Sequence, residues 1–165
     1  MGIVELNDLA AATGGDARLL GLDVGAKTIG LALSDVGRTI ATPLETIRRQ
    51  KLAHDAETIA AIINSQGVGG LVVGLPVSMD GSQGPKCQSV RDFTLALLEN
   101  LAAAGSKNIP AAFWDERLST AAVERMLIKE ADMSRKRRAF VIDKAAAAYI
   151  LQGALDAMAA DGSCR

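Results

Sequence analysis

The sequence has few aromatic residues and almost no net charge. Aromatic residues make up 3% of the 165 residues and hydrophobic residues 49%, so the core must be built mainly from Ala, Leu, Val and Ile. The formal net charge is −1, which excludes a global field that would draw the protein onto nucleic acid. Any binding to nucleic acid would therefore depend on a local basic patch.

The sequence also lacks the features of secreted and membrane proteins. Its two cysteines, Cys87 and Cys164, are far apart and have no metal-binding spacing, which favours a reduced protein. The first residues include acids and lack the basic segment of a signal peptide. No apolar run approaches the roughly 20 residues that cross a bilayer. We expect a soluble cytoplasmic protein that does not interact with membranes.

Hydrophobic periodicity predicts an α/β fold. The predicted strands are 19–24, 28–34, 39–47 (interrupted by Pro43), 70–75 and 109–117. The predicted helices are 51–65, 86–104, 120–131 and 139–160. Short links favour an antiparallel meander of the first three strands, and the later alternation favours βα units. We expect a mixed five-stranded sheet with helices on both faces. It forms one domain over 19–160, between an N-terminal arm (1–18) and a tail (161–165).

Asp23 lies inside the apolar run of the first predicted strand. Strand alternation places it on the same face as Leu19 and Gly21, and Gly21 leaves the open space that a helix or ligand needs for close approach. Lys27 suggests a phosphate loop, but that motif requires glycine immediately before the lysine, and Ala26 stands there. Taken alone, Asp23 is equally well explained as a cap of its own hairpin turn.

Two further acidic positions could join Asp23. Asp115 and Glu116 end the last predicted strand, and because they are adjacent they point to opposite faces. At most one of them can meet Asp23 directly, and both could instead be solvated or paired with Arg117. Asp143 lies on the closing helix, on the same stripe as Ala147 and other small or apolar residues.

A carboxylate at position 143 would be costly on that stripe unless it had a partner. The partner could be a cation, hydrogen-bond donors or a structural salt bridge. The carboxylates of Asp23, of the 115–116 pair and of Asp143 can converge at one end of the predicted sheet. There they would repel one another unless divalent cations lay between them.

All-oxygen ligands favour Mg²⁺ or Mn²⁺, and a pair of such ions suits the in-line attack of water on a phosphodiester. A basic run ends five residues before Asp143 and could hold a phosphate backbone, with help from Lys27 and Arg117. The run consists of Arg135, Lys136, Arg137 and Arg138.

Four segments resemble the RuvX (YqgF) family, which consists of RuvC-like proteins of the ribonuclease H fold. The segments are GLDVGAKTIGLALSD, VVGLPVSMDGSQGP, WDERLST and IDKAAAAYILQGAL. They occur in the family's order and spacing, and the resemblance covers about residues 19–156. Members of the family are described as Holliday junction resolvases and as pre-16S rRNA nucleases.

The resemblance implies an endonuclease that depends on Mg²⁺ or Mn²⁺, with two ions. Its catalytic and metal-binding acids fall on Asp23, Glu116 and Asp143, with Asp115 as a further candidate ligand. The resemblance also places Lys27, Arg117 and residues 74–76 beside the substrate groove. Related nucleases often carry an acid at the end of the fourth strand, where this chain has Gly-Leu-Pro. Between the adjacent acids we choose Glu116, because the longer side chain reaches further from a strand end.

The leading hypothesis is 5′-end processing of precursor 16S rRNA during ribosome biogenesis, with structured RNA or pre-ribosomal particles as partners. A DNA junction resolvase uses the same chemistry, and it should be a homodimer rather than a monomer. A non-catalytic nucleic-acid-binding protein would use the basic run alone. An ATP-binding domain is a weaker alternative, because the second Asp-x-Gly sequence, 35–37, lies in the same meander as the first.

Overall fold

The computed structural model describes residues 2–77, 80–106, 108–116 and 135–160, and for 135–143 it describes the backbone only. The predicted helix 120–131 and Arg117 lie outside the described residues. The strands are β1 (Arg18–Val24), β2 (Thr28–Ser34), β3 (Ala41–Arg48), β4 (Val68–Leu75) and β5 (Ala111–Asp115). The helices are α1 (Leu6–Thr13), α2 (Leu52–Gln66), α3 (Pro85–Ala103) and α4 (Arg135–Ala160).

The strands form one mixed sheet in the order β3-β2-β1-β4-β5. The first three strands pair antiparallel, and β4 and β5 add parallel to β1 on its other side. The predicted five-stranded sheet is therefore confirmed. β1 lies at the centre of the sheet, and its last residues, including Asp23, open onto the edge where β4 and β5 also end.

β3 is continuous, although we predicted an interruption at Pro43. Proline has no N–H group to donate to a neighbouring strand, and it is tolerated in β3 because β3 is an edge strand. The pairing of β2 with β3 shifts between Leu31 and Ala32, and Ala32 is the residue paired with Pro43. This shift in register accommodates the proline, so β3 continues past it.

Alternating side chains of the sheet enter two separate cores. On one face, Leu20 and Leu22 of β1 pack in a cluster with residues of α2 and α3, including Ile59 and Leu97. On the other face, Leu19 packs in a cluster with residues of α1 and α4. Each fully buried leucine contributes about 2 kcal/mol through burial of its side chain. The prediction of helices on both faces is confirmed.

Helix α4 packs unusually close to the centre of the sheet. A Cβ atom on Gly21 would lie 2.8 Å from the Cβ atom of Leu151 and 3.0 Å from the carbonyl oxygen of Ala147. The predicted close approach at Gly21 is therefore confirmed, and the approaching element is a helix. The contact is possible because Gly21 has no side chain that would occupy the space taken by Ala147 and Leu151.

The direction of α4 follows from its contacts with β3. The side chain of Gln152 accepts a hydrogen bond from the backbone N–H of Ala41, at the start of β3 (2.8 Å). Ala145 borders a small groove that reaches Pro43, further along β3. α4 therefore runs opposite to β3, and also opposite to β1, since both strands are antiparallel to β2. The N-terminal end of α4 lies toward the C-terminal end of β1.

Helix α1 is an element that we did not predict. It comprises eight residues and its Leu9 is fully buried against the sheet. So short a helix has little stability of its own, and packing supplies the rest. Buried Arg38 holds it in place, because its guanidinium group donates hydrogen bonds to the carbonyl oxygens of Ala10 and Gly14. No described helix is long and apolar enough to span a membrane.

Candidate active site

Asp23 is the next-to-last residue of β1, and its side chain is half-buried at the end of the sheet. The hairpin that follows is closed by a backbone hydrogen bond from the N–H of Gly25 to the carbonyl of Thr28 (2.8 Å). The side chain of Asp23 is hydrogen-bonded to the carboxyl group of Glu116. The structure thus brings together two of the predicted site residues.

Glu116 follows directly after β5 and reaches back over the end of β4. Its side chain lies above Gly74, where an added Cβ atom would be 2.7 Å from Oε1 and 3.0 Å from Cγ. Any larger residue at position 74 would compete with the carboxyl group for this space. The absence of a side chain at the end of β4 is therefore what gives Glu116 room to reach Asp23.

Strand alternation explains why Glu116, rather than Asp115, meets Asp23. Ala112 and Trp114 of β5 face the core on the α4 side, so Glu116, two residues after Trp114, continues that face. Asp23 lies on the same face of β1 as Leu19 and Gly21, and that face also points toward α4. The alternation of side chains along β1 and β5 can be counted in the sequence. It identifies Asp23 and Glu116 as the pair without any argument from side-chain length.

The environment of Glu116 disfavours its ionised form. Burial raises the pKa of the Glu116 carboxyl group above its ordinary value of 4.5, and the neighbouring charge of Asp115 raises it further. The hydrogen bond with Asp23 and the charge of Lys86 act in the opposite direction. Without a cation, a doubly ionised pair is therefore unfavourable, and the hydrogen bond between the two carboxyl groups requires that they share one proton.

The pair borders a cavity of about 340 Å³ at the end of the sheet. The cavity is lined by Asp23, Val24, Gly25, Ala26, Arg49, Pro76, Lys86, Ser89, Val90 and Glu116. Pro76 belongs to the predicted 74–76 border. Arg49 and Lys86 are lining residues that we did not predict, because the sequence does not show how the ends of β3 and α3 meet around the hairpin.

The remaining predicted residues are placed as follows. Lys27 is exposed on the β1–β2 hairpin, next to the lining residue Ala26. Asp143 and the basic run 135–138 lie in α4, in the part whose side chains are not described. Among the side chains that the structure describes, no group of three Asp, Glu, His or Cys residues could hold a metal ion. The described members of the predicted metal site are Asp23, Glu116 and the further candidate Asp115, which is the last residue of β5.

The second Asp-x-Gly sequence forms a turn between β2 and β3. Oδ1 of Asp35 accepts hydrogen bonds from the backbone N–H groups of Thr39 (2.7 Å) and Ile40 (3.0 Å). These bonds hold the pKa of Asp35 below its ordinary value. Asp35 therefore has a structural explanation that requires no nucleotide.

Known proteins resemble this chain over nearly its whole length. The family model "RuvX: Holliday junction resolvase" matches residues 17–157. A Paramagnetospirillum magneticum protein named "Putative pre-16S rRNA nuclease" is 62% identical over 156 residues, or 94% of this chain and 96% of that protein. A Rhodospirillum centenum protein of the same name is 56% identical over 156 residues, or 94% of this chain and 82% of that protein.

A solved structure shares the fold at low sequence identity. The structure described as "T. thermophilus RuvC in complex with Holliday junction substrate" has a TM-score of 0.53, covering 86% of this chain and 94% of that chain at 16% identity. The structural likeness confirms the predicted RuvC-like, ribonuclease H-like fold. The family match and the names of the relatives confirm the predicted resemblance and the nuclease class of enzyme.

Proposed function

Because this chain belongs to the RuvX family, we propose that it is a divalent-metal-dependent endonuclease that processes the 5′ end of precursor 16S rRNA. The observation that carries the proposal is the pair of hydrogen-bonded carboxyl groups, Asp23 and Glu116, beside an open cavity at the end of the sheet. The names of the relatives support precursor 16S rRNA as the substrate. We also propose that the enzyme acts in the cytoplasm, where the reduced Cys87 thiol would persist.

The position of Asp143 in the backbone supports it as the third acid. Ala147 packs against Gly21, and Asp143 precedes Ala147 by one turn, or about 6 Å along the helix. Asp23 lies two residues after Gly21, or about 6.6 Å along β1. Since α4 runs opposite to β1, both steps lead to the same end of the sheet.

The acid pair fits a hard divalent cation. Asp23 and Glu116 offer only oxygen ligands, and burial makes a second negative charge at Glu116 unfavourable until a cation compensates it. We propose that Asp23, Glu116 and Asp143 hold Mg²⁺ or Mn²⁺, with Asp115 as a nearby further ligand. When bound, a pair of such ions activates water and stabilises the leaving oxygen of a phosphodiester.

The protein's own groups would orient the substrate. The carboxyl groups of Asp23 and Glu116 mark the end of the cavity at which the scissile phosphate would lie. We propose that Lys27, Arg117 and the basic run 135–138 bind flanking phosphates, which the acids alone would repel.

A cleavage assay tests the proposal. Purified protein is incubated with an RNA that includes the 5′ precursor segment of 16S rRNA, and separately with a four-way DNA junction, in Mg²⁺, Mn²⁺ or EDTA. We expect metal-dependent cleavage of the RNA that Asp23→Asn reduces by at least about a hundredfold. Asp35→Asn is the matched control, because it removes one charge at a turn outside the cavity.

Three outcomes would overturn parts of the proposal. Cleavage of the junction alone would make the protein a DNA resolvase. Cleavage in EDTA would remove the metal requirement. Equal rates for Asp23→Asn and wild type would exclude the proposed metal site.

A further inference from the structure

We infer that Arg49 and Lys86 form a phosphate-binding wall of the cavity that Asp23 and Glu116 also line, and that Arg49 fixes the position of the bound nucleic-acid strand. This inference rests on the proposed nuclease function. Both side chains line the same cavity as Asp23 and Glu116, although they come from distant parts of the chain.

Arg49 is held rigidly at the cavity. Its guanidinium group lies over the ring of Phe93, with 4.7 Å between Cζ and the ring centroid. Its Nη1 donates a hydrogen bond to the carbonyl oxygen of Gly25 (2.7 Å), and its backbone N–H bonds to the carbonyl of Lys27 (2.8 Å). Little further side-chain entropy would be lost on binding, because these contacts already restrain the arginine.

The arginine retains donors for a ligand. A guanidinium group carries five N–H donors, and among the described residues one of them is used in a side-chain hydrogen bond, to the carbonyl oxygen of Gly25. The contact with the Phe93 ring is a cation–π contact and adds no further hydrogen bond to this count. A planar edge with several N–H groups matches the oxygens of a phosphate.

Lys86 supplies a second, less specific charge. It is the second residue of α3, and its side chain is exposed at the rim of the cavity. Ser89, one turn later on the same helix, also lines the cavity. The lysine acts as a mobile charge near the phosphate, whereas Arg49 sets the geometry.

A nucleic acid can enter this cavity only if positively charged residues offset its repulsion by the two carboxyl groups. A polyanion entering a cavity that contains two carboxyl groups is repelled until cations on the protein offset the acids. The proposed metal ions compensate the charge at the scissile phosphate. A fixed arginine beside the hairpin is placed to hold a neighbouring phosphate and thereby to set which phosphodiester meets the acids.

The test measures binding separately from cleavage. Fluorescence anisotropy of a labelled RNA that includes the 5′ precursor segment is recorded with wild type, Arg49→Gln, Arg49→Lys and Lys86→Gln. Ca²⁺ replaces Mg²⁺ so that binding is read in the absence of cleavage. Arg48→Gln is the matched control, because Arg48 is the adjacent exposed residue and does not line the cavity. Salt is varied between about 50 and about 200 mM.

We expect Arg49→Gln to weaken binding about tenfold and to reduce the slope of log K against log salt by about one. Lys86→Gln should weaken binding about threefold, and Arg49→Lys should restore the salt slope but not the affinity. Arg48→Gln should match wild type. If Arg49→Gln lowers only the cleavage rate and leaves the affinity and salt slope unchanged, Arg49 acts by supporting the hairpin and the inference is wrong.

The design separates failure of this inference from failure of the proposed function. If wild type neither binds nor cleaves the RNA, the proposed function fails. If wild type binds and cleaves while Arg49→Gln and Lys86→Gln bind as tightly as Arg48→Gln, only the phosphate wall is excluded. Should Arg49→Gln melt below the assay temperature, Lys86→Gln and Arg49→Lys decide the question.

Discussion

Gly74 is the residue whose substitution tests the geometry of the acid pair most sharply. In Gly74→Ala, the new Cβ atom would clash with Cδ1 of Ile150, and it would lie 2.7 Å from Oε1 and 3.0 Å from Cγ of Glu116. All three atoms belong to side chains, so the variant can fold if both side chains move. The Glu116 carboxyl group must shift by about 0.7 Å to reach an ordinary contact distance.

The expected magnitudes follow from these contacts. Ile150 is 1% exposed, so moving its end costs about 1–3 kcal/mol, as in other overpacked cores. Replacing a strand glycine by alanine recovers about 0.5–1 kcal/mol. A displacement approaching 1 Å at a catalytic group lowers rates by as much as about a hundredfold, so we expect a loss of about ten- to a hundredfold in kcat.

Two further variants separate activity from stability. Gly70→Ala lies on the same strand and face, and its Cβ would meet Cγ2 of Thr13 at 2.6 Å, far from the acids. It should lose similar stability in urea denaturation yet retain its kcat. Gly74→Ala combined with Ile150→Val removes the Cδ1 contact, so it should regain part of the stability but none of the activity. If Gly74→Ala cleaves as fast as Gly70→Ala, the proposed role of this space is wrong.

Two other predictions concern stability. Burial raises the pKa of Glu116, so in the metal-free protein its contribution to stability is fully present below pH 4.5 and is lost as the pH rises through the raised value. Glu116→Gln should therefore flatten the fall of Tm with pH in EDTA, and an unchanged slope would contradict the raised pKa. Arg38→Ala should destabilise the fold by about 3 kcal/mol, because it removes buried charged hydrogen bonds to the carbonyls of Ala10 and Ala17. Limited proteolysis should then cut after α1, and resistance equal to that of wild type would contradict the role of Arg38.

The sheet was predictable because its signals are local. Leu20 and Leu22 alternate with Leu19 and Gly21, and each set enters a different core, so strand pattern and burial agree. The close approach of another element at Gly21 was also predictable, since a glycine near an aspartate in a central strand leaves space for a helix or a ligand. The face shared by Asp23 and Glu116 follows from the same alternation.

The residues that we missed depend on long-range packing. Helix α1 owes its place to the burial of Leu9 and to Arg38, which is 28 residues away from its partner Ala10. Arg49 reaches the cavity because Phe93 and Gly25 hold it there, and no periodicity links those three positions. The metal-binding roles of Asp23, Glu116 and Asp143 remain predictions.

Mn²⁺ soaked into crystals of the wild-type protein would show whether the three acids bind a metal ion together. Anomalous scattering at the manganese edge locates the ion without reference to activity, and an Asp23→Asn crystal treated in the same way is the control. We expect Mn²⁺ bound jointly by Asp23, Glu116 and Asp143 in the wild type and reduced or absent in the variant. Manganese bound elsewhere, with these three carboxyl groups left unligated at saturating concentration, would contradict this expectation.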